Sequence, residues 1–152
     1  MVEHESLNTP TKLLLVGVEI LFVCALFLMR LGVAGWLLMM FGALLILLLT
    51  LWAFVHIALM ITFISVFESR KSDIALYLAT HFFYLWAWLF QFDGDDTSVK
   101  WTIRLLPCTN FLEPLLRKWG GVLFLTTSIA TFVCYLIIFI LIVIRLARLI
   151  FH

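Results

Sequence analysis

Charged residues are scarce in this sequence: Asp, Glu, Lys and Arg make up 12% of its 152 residues, about half the share found in soluble domains. Hydrophobic residues make up 65%, and the mean hydropathy is +1.19. A soluble fold has too little polar surface to cover so many apolar side chains, so the composition predicts an integral membrane protein. The formal net charge of +1 argues against a nucleic-acid partner, because binding phosphates requires a basic surface.

Sequence patterns typical of enzymes and of metal sites are also missing. Cys24, Cys108 and Cys134 stand far apart and match no zinc or redox spacing, so we expect unpaired packing residues. The acidic run 93–98 invites comparison with a calcium loop, but the positions that need glycine and a bidentate glutamate hold other residues. We therefore expect a water-exposed turn there. No nucleophile elbow, phosphate loop or HExxH motif occurs, so we do not expect an enzyme.

Long apolar runs predict an all-α, polytopic membrane domain over residues 1–152, with about four transmembrane helices of roughly 20 residues each. The second run is unusual because it stays apolar from Trp36 to Phe67. As one helix it would be about 48 Å long, which exceeds the ~30 Å hydrocarbon core. Unless this helix breaks, its end must leave the lipid and find protein cover. The predicted spans are 12–30, 36–58 with an extension to 67, 74–92 and 120–144.

The segment 99–118 separates spans three and four and mixes cations with apolar residues. Pro107 and Pro114 interrupt it, and it is too charged to cross a bilayer. We expect short amphipathic helices lying in the membrane interface.

Four spans place both termini on the same side of the membrane. Each side then carries five cations, so the positive-inside rule does not decide the orientation. We favour cytoplasmic termini, because the cations on that side lie close to helix ends and the opposite loop carries the aspartates. The two sets are Lys12, Arg70, Lys71, Arg145 and Arg148 on the terminal side, and Arg30, Lys100, Arg104, Arg117 and Lys118 on the other.

Three ionisable residues fall inside the predicted spans: Glu19, His56 and His81. Such residues are costly in a membrane and usually face protein or a cavity. Spans two and three form an antiparallel hairpin, so the two histidines reach similar depths. We expect Glu19 to face protein, with His56 as its partner within the chain. If His56 points elsewhere, Glu19 marks a contact with a second subunit.

Several roles are open to these residues. His56 and His81 could ligate haem b, or Glu19 and a histidine could pass a proton, but hydrogen bonding between helices is the simpler interpretation, so no cofactor is predicted.

The aromatic face of span three favours packing over a lipid or quinone pocket, although a bound lipid stays possible. Small polar residues on span four suit close helix contact. The candidate interface residues are Glu19, Thr127, Thr131 and Tyr135.

We therefore predict a small, non-catalytic accessory or scaffold subunit of a larger membrane complex. Its partners would be other membrane subunits and the lipid bilayer. One alternative is a haem-binding electron-transfer subunit that uses His56 and His81. Another is a homo-oligomeric channel or pore, which would need a hydrophilic stripe along one helix that the sequence does not contain.

Overall fold

The computed structural model describes residues 8–33, 36–68, 70–94 and 99–151. Residues 95–98 of the predicted water-exposed turn at 93–98 lie outside these ranges. Within them the chain is helical except for one short hairpin and the turns that join the elements. The helices are α1 (Thr9–Leu31), α2 (Trp36–Ser65), α3 (Lys71–Leu89) and α4 (Glu113–Phe151), and between the last two lie β1 (Phe92–Gly94), β2 (Val99–Trp101) and 3-10 turns at Thr102–Leu105 and Asn110–Leu112.

Among the described residues, three helical stretches are long and apolar enough to cross a membrane. They are Thr9–Leu31, Met40–Ser65 and Asn110–Phe151. The all-α membrane class predicted from composition is confirmed at this level. Local chemistry explains where the first helix begins, since the Asn8 side chain accepts a hydrogen bond from the Thr11 backbone N–H (3.1 Å) and Pro10 lies in the first turn.

The second helix is kinked near its start, so the run 36–67 is not one straight helix, but beyond the kink the helix continues past residue 58 to Ser65, close to the predicted end at 67. Phe41 has φ −114° and ψ 16°, outside the α-helical region, and the helix ends at Ser65. The apolar end of this helix is covered by the same chain, because Phe63 and Phe67 pack against Ile138 and other residues of α4. The excess length of this run therefore no longer requires a partner protein.

The segment between α3 and α4 also differs from the prediction. The third helix ends at Leu89, and β1 pairs with β2 in an antiparallel hairpin in which Phe92 faces Trp101. Residues 99–118 are a strand, two single 3-10 turns and the start of α4, and not amphipathic helices. Pro114 starts a helix here instead of breaking one, because proline is well tolerated in the first helical turn.

A buried ion pair lies at each end of the bundle. Asp93 was predicted to be exposed, yet it is 0% exposed and its carboxylate lies 3.5 Å from the Arg30 guanidinium. Asp73, in the first turn of α3, is 1% exposed and accepts a 2.8 Å hydrogen bond from Arg145. Sequence composition marks both aspartates as polar loop residues, because their cationic partners lie 63 and 72 positions away.

The start of α1 and the end of α4 lie at the same end of the bundle. Lys12 donates a hydrogen bond to the Ser65 carbonyl (3.0 Å), and Arg145 donates one to the Val66 carbonyl (3.1 Å). Both cations thus hold the turn that joins α2 to α3.

Candidate metal centre

Three helices each contribute one ionisable side chain to the middle of the bundle. Glu19 and His56 are fully buried, and His81 is 18% exposed. One carboxylate oxygen of Glu19 lies 2.9 Å from His56 Nε2, and the other contacts His81 Nε2. The predictions that Glu19 faces protein and that His56 is its partner are both confirmed. His81 joins them as a second partner.

The helix pattern explains why these side chains meet. On α1, the buried residues recur at helical spacing and form one stripe, which places Glu19 on the inward face. The predicted hairpin of spans two and three does not bring the backbones of α2 and α3 close together, because each of them packs against α1 and α4. His56 and His81 instead approach each other across the bundle, with ring centroids 5.4 Å apart. The stripe on α1 consists of Glu19, Val23, Leu26 and Arg30.

The hydrogen bond on the far side of His81 fixes the position of its proton. His81 Nδ1 lies 2.8 Å from the Tyr77 carbonyl oxygen, one turn earlier on α3. A carbonyl only accepts, so Nδ1 carries the proton, and in the neutral ring Nε2 presents a lone pair. That lone pair faces a carboxylate oxygen of Glu19. Two acceptors in contact require a cation between them, either a shared proton or a metal ion.

The contact between His56 and Glu19 has a different geometry. His56 Nε2 and the nearer Glu19 oxygen are 2.9 Å apart, which is close enough for an ion pair. However, neither of these two buried atoms has a hydrogen-bond partner. A short distance alone does not make a hydrogen bond, because the N–H must also point at its acceptor. Buried polar atoms without partners are rare and costly, and these two are adjacent.

The groups around the histidines hold their rings in place. His56 Nδ1 lies 2.7 Å from the Tyr135 hydroxyl on α4, and the His56 ring stacks face to face on Tyr84 with centroids 3.7 Å apart. Histidines that bind metals are usually held in this way through the nitrogen that does not face the metal. Both Nδ1 atoms therefore have partners, and both Nε2 atoms lie within ion-pair distance of Glu19.

This donor set fits one divalent metal ion. The ligating atoms of Glu19, His56 and His81 all lie within 4.8 Å of one another. Zinc binds imidazole nitrogen and carboxylate oxygen at about 2.0–2.2 Å, so small side-chain adjustments suffice for all three to reach a common ion. Two imidazoles and one carboxylate also suit ferrous iron.

The same geometry is unfavourable for haem. Two axial histidines must approach the iron from opposite faces of a porphyrin. Here both Nε2 atoms contact one carboxylate, and the two rings meet edge to face at 72°. A porphyrin between them would have to displace Glu19. The arrangement therefore favours an ion over a macrocycle.

The predicted interface residues lie mainly inside the chain. Glu19 and Thr131 are 0% exposed and Tyr135 is 6% exposed, so these three side chains face the bundle interior. Thr127 is half-buried, and its hydroxyl bonds to the Leu123 carbonyl of its own helix. Sequence reasoning missed the part that Tyr135 plays beside His56, because nothing in the sequence gives the rotation of α4 relative to α2.

The aromatic face of α3 packs inward as predicted, with Tyr84 and Trp88 fully buried. An apolar groove of about 370 Å³ lies elsewhere, between α1 and α2, and its lining includes Val23 and Phe54. A lipid chain would suit that groove, and lipid binding stays a prediction.

Comparison with family models, with curated proteins and with solved structures finds no match. The class of the protein therefore rests on its fold and its site. It is an all-helical protein with three helices able to span a membrane and a buried carboxylate held between two histidines.

Proposed function

We propose that this chain is a four-crossing integral membrane protein that binds one divalent transition-metal ion, of the zinc or ferrous-iron class, through Glu19, His56 and His81. The observation that carries the proposal is the convergence of one carboxylate and two imidazole Nε2 atoms in a buried site, with both Nδ1 atoms already engaged. The ion would tie α1, α2 and α3 together at the centre of the bundle.

Because Glu19 is buried, a bound ion would stabilise the protein by neutralising its carboxylate. An unpaired carboxylate costs at least about 2.5 kcal/mol at the centre of a bilayer. Glu19 is the only acidic or basic residue in the predicted span 12–30 other than those at its two ends. A metal ion would neutralise its charge and would satisfy the two adjacent atoms of Glu19 and His56 that lack hydrogen bonds.

The third helix supports the count of four crossings. Its 19 residues would extend about 28 Å, close to the hydrocarbon thickness. It carries His81 to the same depth as Glu19, while Asp73 lies at one end of the bundle and Leu89 packs near the hairpin at the other. Its outward face is apolar, with Leu78 60% exposed and Phe82 55% exposed. In this arrangement both termini lie on one side, for which we propose the cytoplasm.

Metal binding to the purified full-length protein tests the proposal. The untagged protein in detergent is stripped with a chelator and titrated with Zn²⁺ or Co²⁺. We expect one ion per chain, with affinity lowered at least about 100-fold in Glu19→Gln, His56→Ala and His81→Ala, since each change removes one of three ligands. Unchanged binding in all three variants would contradict the proposal.

The matched control is the double variant His4→Ala, His152→Ala. It removes the other two histidines of the chain and leaves the proposed ligands intact. We expect it to bind one ion as tightly as the wild type. Loss of binding in this variant instead would assign the metal to the chain termini.

The hypothesis of an accessory subunit stays a prediction alongside the metal centre. Two of its grounds have weakened, because α4 covers the apolar end of α2 and because Glu19 finds both of its partners within the chain. Other membrane subunits stay predicted partners, and co-purification from native membranes checks this. The channel alternative also stays a prediction, without a supporting contact in the described residues.

A further inference from the structure

A second polar site lies near the hairpin end of the bundle. A cavity of about 280 Å³ lies there between α1, α2, α4 and the start of the hairpin, and its lining does not include the proposed metal ligands. Two residues that line it, Arg30 and Gln91, are 3% and 6% exposed. Each has a side-chain N–H group, at Arg30 Nε and Gln91 Nε2, that is buried without a hydrogen-bond partner. Because such donors are rare and costly, two around one cavity indicate a site for an acceptor.

Other hydrogen bonds hold these two residues in position. The remaining guanidinium nitrogens of Arg30 contact the Val33 carbonyl at 3.1 Å and the Asp93 carboxylate at 3.5 Å. Gln91 is fixed through its backbone carbonyl, which accepts a 2.9 Å hydrogen bond from the Thr102 backbone N–H. None of these contacts uses the two unpartnered N–H groups, so both stay available to a ligand.

The charge around the cavity favours a neutral acceptor. Arg30 is the charged residue of the lining, and its ion pair with the buried Asp93 balances its charge. An anionic ligand would add an unbalanced charge in a low-dielectric site, which is unfavourable. A carbonyl oxygen is neutral and has two lone pairs, so one such oxygen can accept from both donors.

The rest of the cavity is apolar and runs toward the middle of the bilayer. Arg30 lies in the last turn of α1, a helix able to span the membrane, so the donors lie at the membrane interface. From there the cavity wall follows one face of α2 toward His56. Leu48 in this wall is 53% exposed, so the cavity reaches the outer surface of the bundle. The α2 residues of the wall are Leu45, Leu48, Leu49 and Trp52, at helical spacing.

We propose that this cavity binds a membrane lipid through a neutral carbonyl group, which accepts hydrogen bonds from Arg30 Nε and Gln91 Nε2. The apolar part of the lipid lies along α2. Two kinds of membrane lipid carry such a group: a glycerolipid has ester carbonyls, and a lipid quinone has ring carbonyls. The proposal goes beyond the metal centre and does not depend on it, because the two sites have no residue in common.

An ester lipid and its ether analogue test the role of the carbonyl directly. Full-length protein, delipidated in detergent, is titrated with dioleoyl phosphatidylcholine or with the ether-linked lipid of the same headgroup and chains, and bound lipid is counted by native mass spectrometry. If the ligand is a glycerolipid, we expect the wild type to bind one ester lipid at least about 10-fold more tightly than the ether lipid, since the ether has no carbonyl to accept hydrogen bonds.

A decyl-substituted benzoquinone is the third probe. Tighter binding of the quinone than of the ester lipid would assign the site to a quinone, and the reverse order would assign it to a glycerolipid. Equal binding of the ester and ether lipids, together with no binding of the quinone, would overturn the proposal. These measurements use the wild type alone, so the result does not depend on the folding of a variant.

The variant Gln91→Met assigns the site to its residues. Methionine keeps the length of the side chain and removes the N–H group, which has no partner within the chain. We expect the affinity for the carbonyl probe that the wild type prefers to fall about 10-fold. The control Thr50→Val, in the separate groove between α1 and α2, should bind that probe like the wild type. Equal affinity in Gln91→Met and the wild type would overturn the proposal.

Discussion

Tyr135 connects the fourth helix to the proposed metal centre through a hydrogen bond to His56. Its hydroxyl lies 2.7 Å from His56 Nδ1, where it holds the imidazole in the orientation that presents Nε2 to Glu19. Loss of such a partner typically lowers metal affinity about 10- to 100-fold. We expect Tyr135→Phe to weaken Co²⁺ binding by that factor while the stoichiometry stays at one ion per chain, as measured by competition with a chelator of known affinity. Affinity equal to that of the wild type would show that the hydroxyl does not position the ring.

Gly120 is needed for the hairpin to pack on α4. A Cβ atom added there would lie 2.1 Å from the nearest ring atom of Trp101, whose side chain is buried. We expect Gly120→Ala to lower the free energy of unfolding by about 1–3 kcal/mol, the usual cost of overpacking. Thermal unfolding in detergent, followed by tryptophan fluorescence, measures the change.

The adjacent glycine provides the control for this experiment. A Cβ atom at Gly121 meets nothing within 4 Å, and both glycines lie in the same helix. Alanine is favoured over glycine in a helix by about 0.5–1 kcal/mol, so Gly121→Ala should leave stability unchanged or raise it. Equal destabilisation by both substitutions would mean that the Trp101 contact is not the cause.

At the residue scale, the sequence predicted part of the site. The rarity of ionisable residues in the apolar runs singled out Glu19, His56 and His81, and the depth argument brought the histidines together. The burial of Asp73 could not be predicted from the sequence, because it depends on Arg145, which lies 72 positions away and comes near only when the chain folds.

At the element scale, the turn between α2 and α3 is held by a network of buried charge. Asp73 precedes the proposed span 74–92 and accepts hydrogen bonds from Arg145 and from the Glu68 backbone N–H, at 2.8 and 3.1 Å. Burial alone would raise the pKa of Asp73, but these hydrogen bonds hold it below its ordinary value. The carboxylate form is therefore favoured in the folded protein.

This shift predicts how stability depends on pH. A carboxyl whose pKa is lowered on folding stabilises the fold fully above its ordinary pKa, near about 4. That contribution is lost as the pH falls below this value toward the folded pKa. We expect Asp73→Asn to lower thermal stability at neutral pH and to flatten the fall in stability below about pH 4, as seen in unfolding curves across pH. An unchanged acid slope in the variant would assign the acid sensitivity to other groups.

The element boundaries show how far local sequence predicts structure. Apolar run length placed α1 and the middle of α2 correctly, since helix formation in lipid follows from composition. The kink at Phe41 could not be predicted from a proline, because none lies beside it. Gly42 follows directly, however, and glycine commonly accompanies kinks. Pro114 was misjudged because proline can end one helix or begin another, and the residues after it decide between the two.

At the scale of the whole molecule, the crossing of α3 decides the topology. We expect single cysteines placed at Lys71 and Lys100, in a background with the three native cysteines replaced by serine, to react with a membrane-impermeant maleimide from opposite sides of sealed vesicles. The physical reason is that α3 lies between these two positions and would carry the chain across the bilayer. Labelling of both positions from the same side would exclude α3 as a crossing.

The proposed metal centre is defined by the identity of the atoms around the bound ion. X-ray absorption at the zinc edge, on wild-type protein loaded with one Zn²⁺ per chain, reports them directly. We predict a first shell of nitrogen and oxygen alone at about 2.0–2.2 Å, with outer-shell scattering from two imidazole rings. A sulfur shell at about 2.3 Å, or scattering from fewer than two imidazoles, would contradict a centre built from Glu19, His56 and His81.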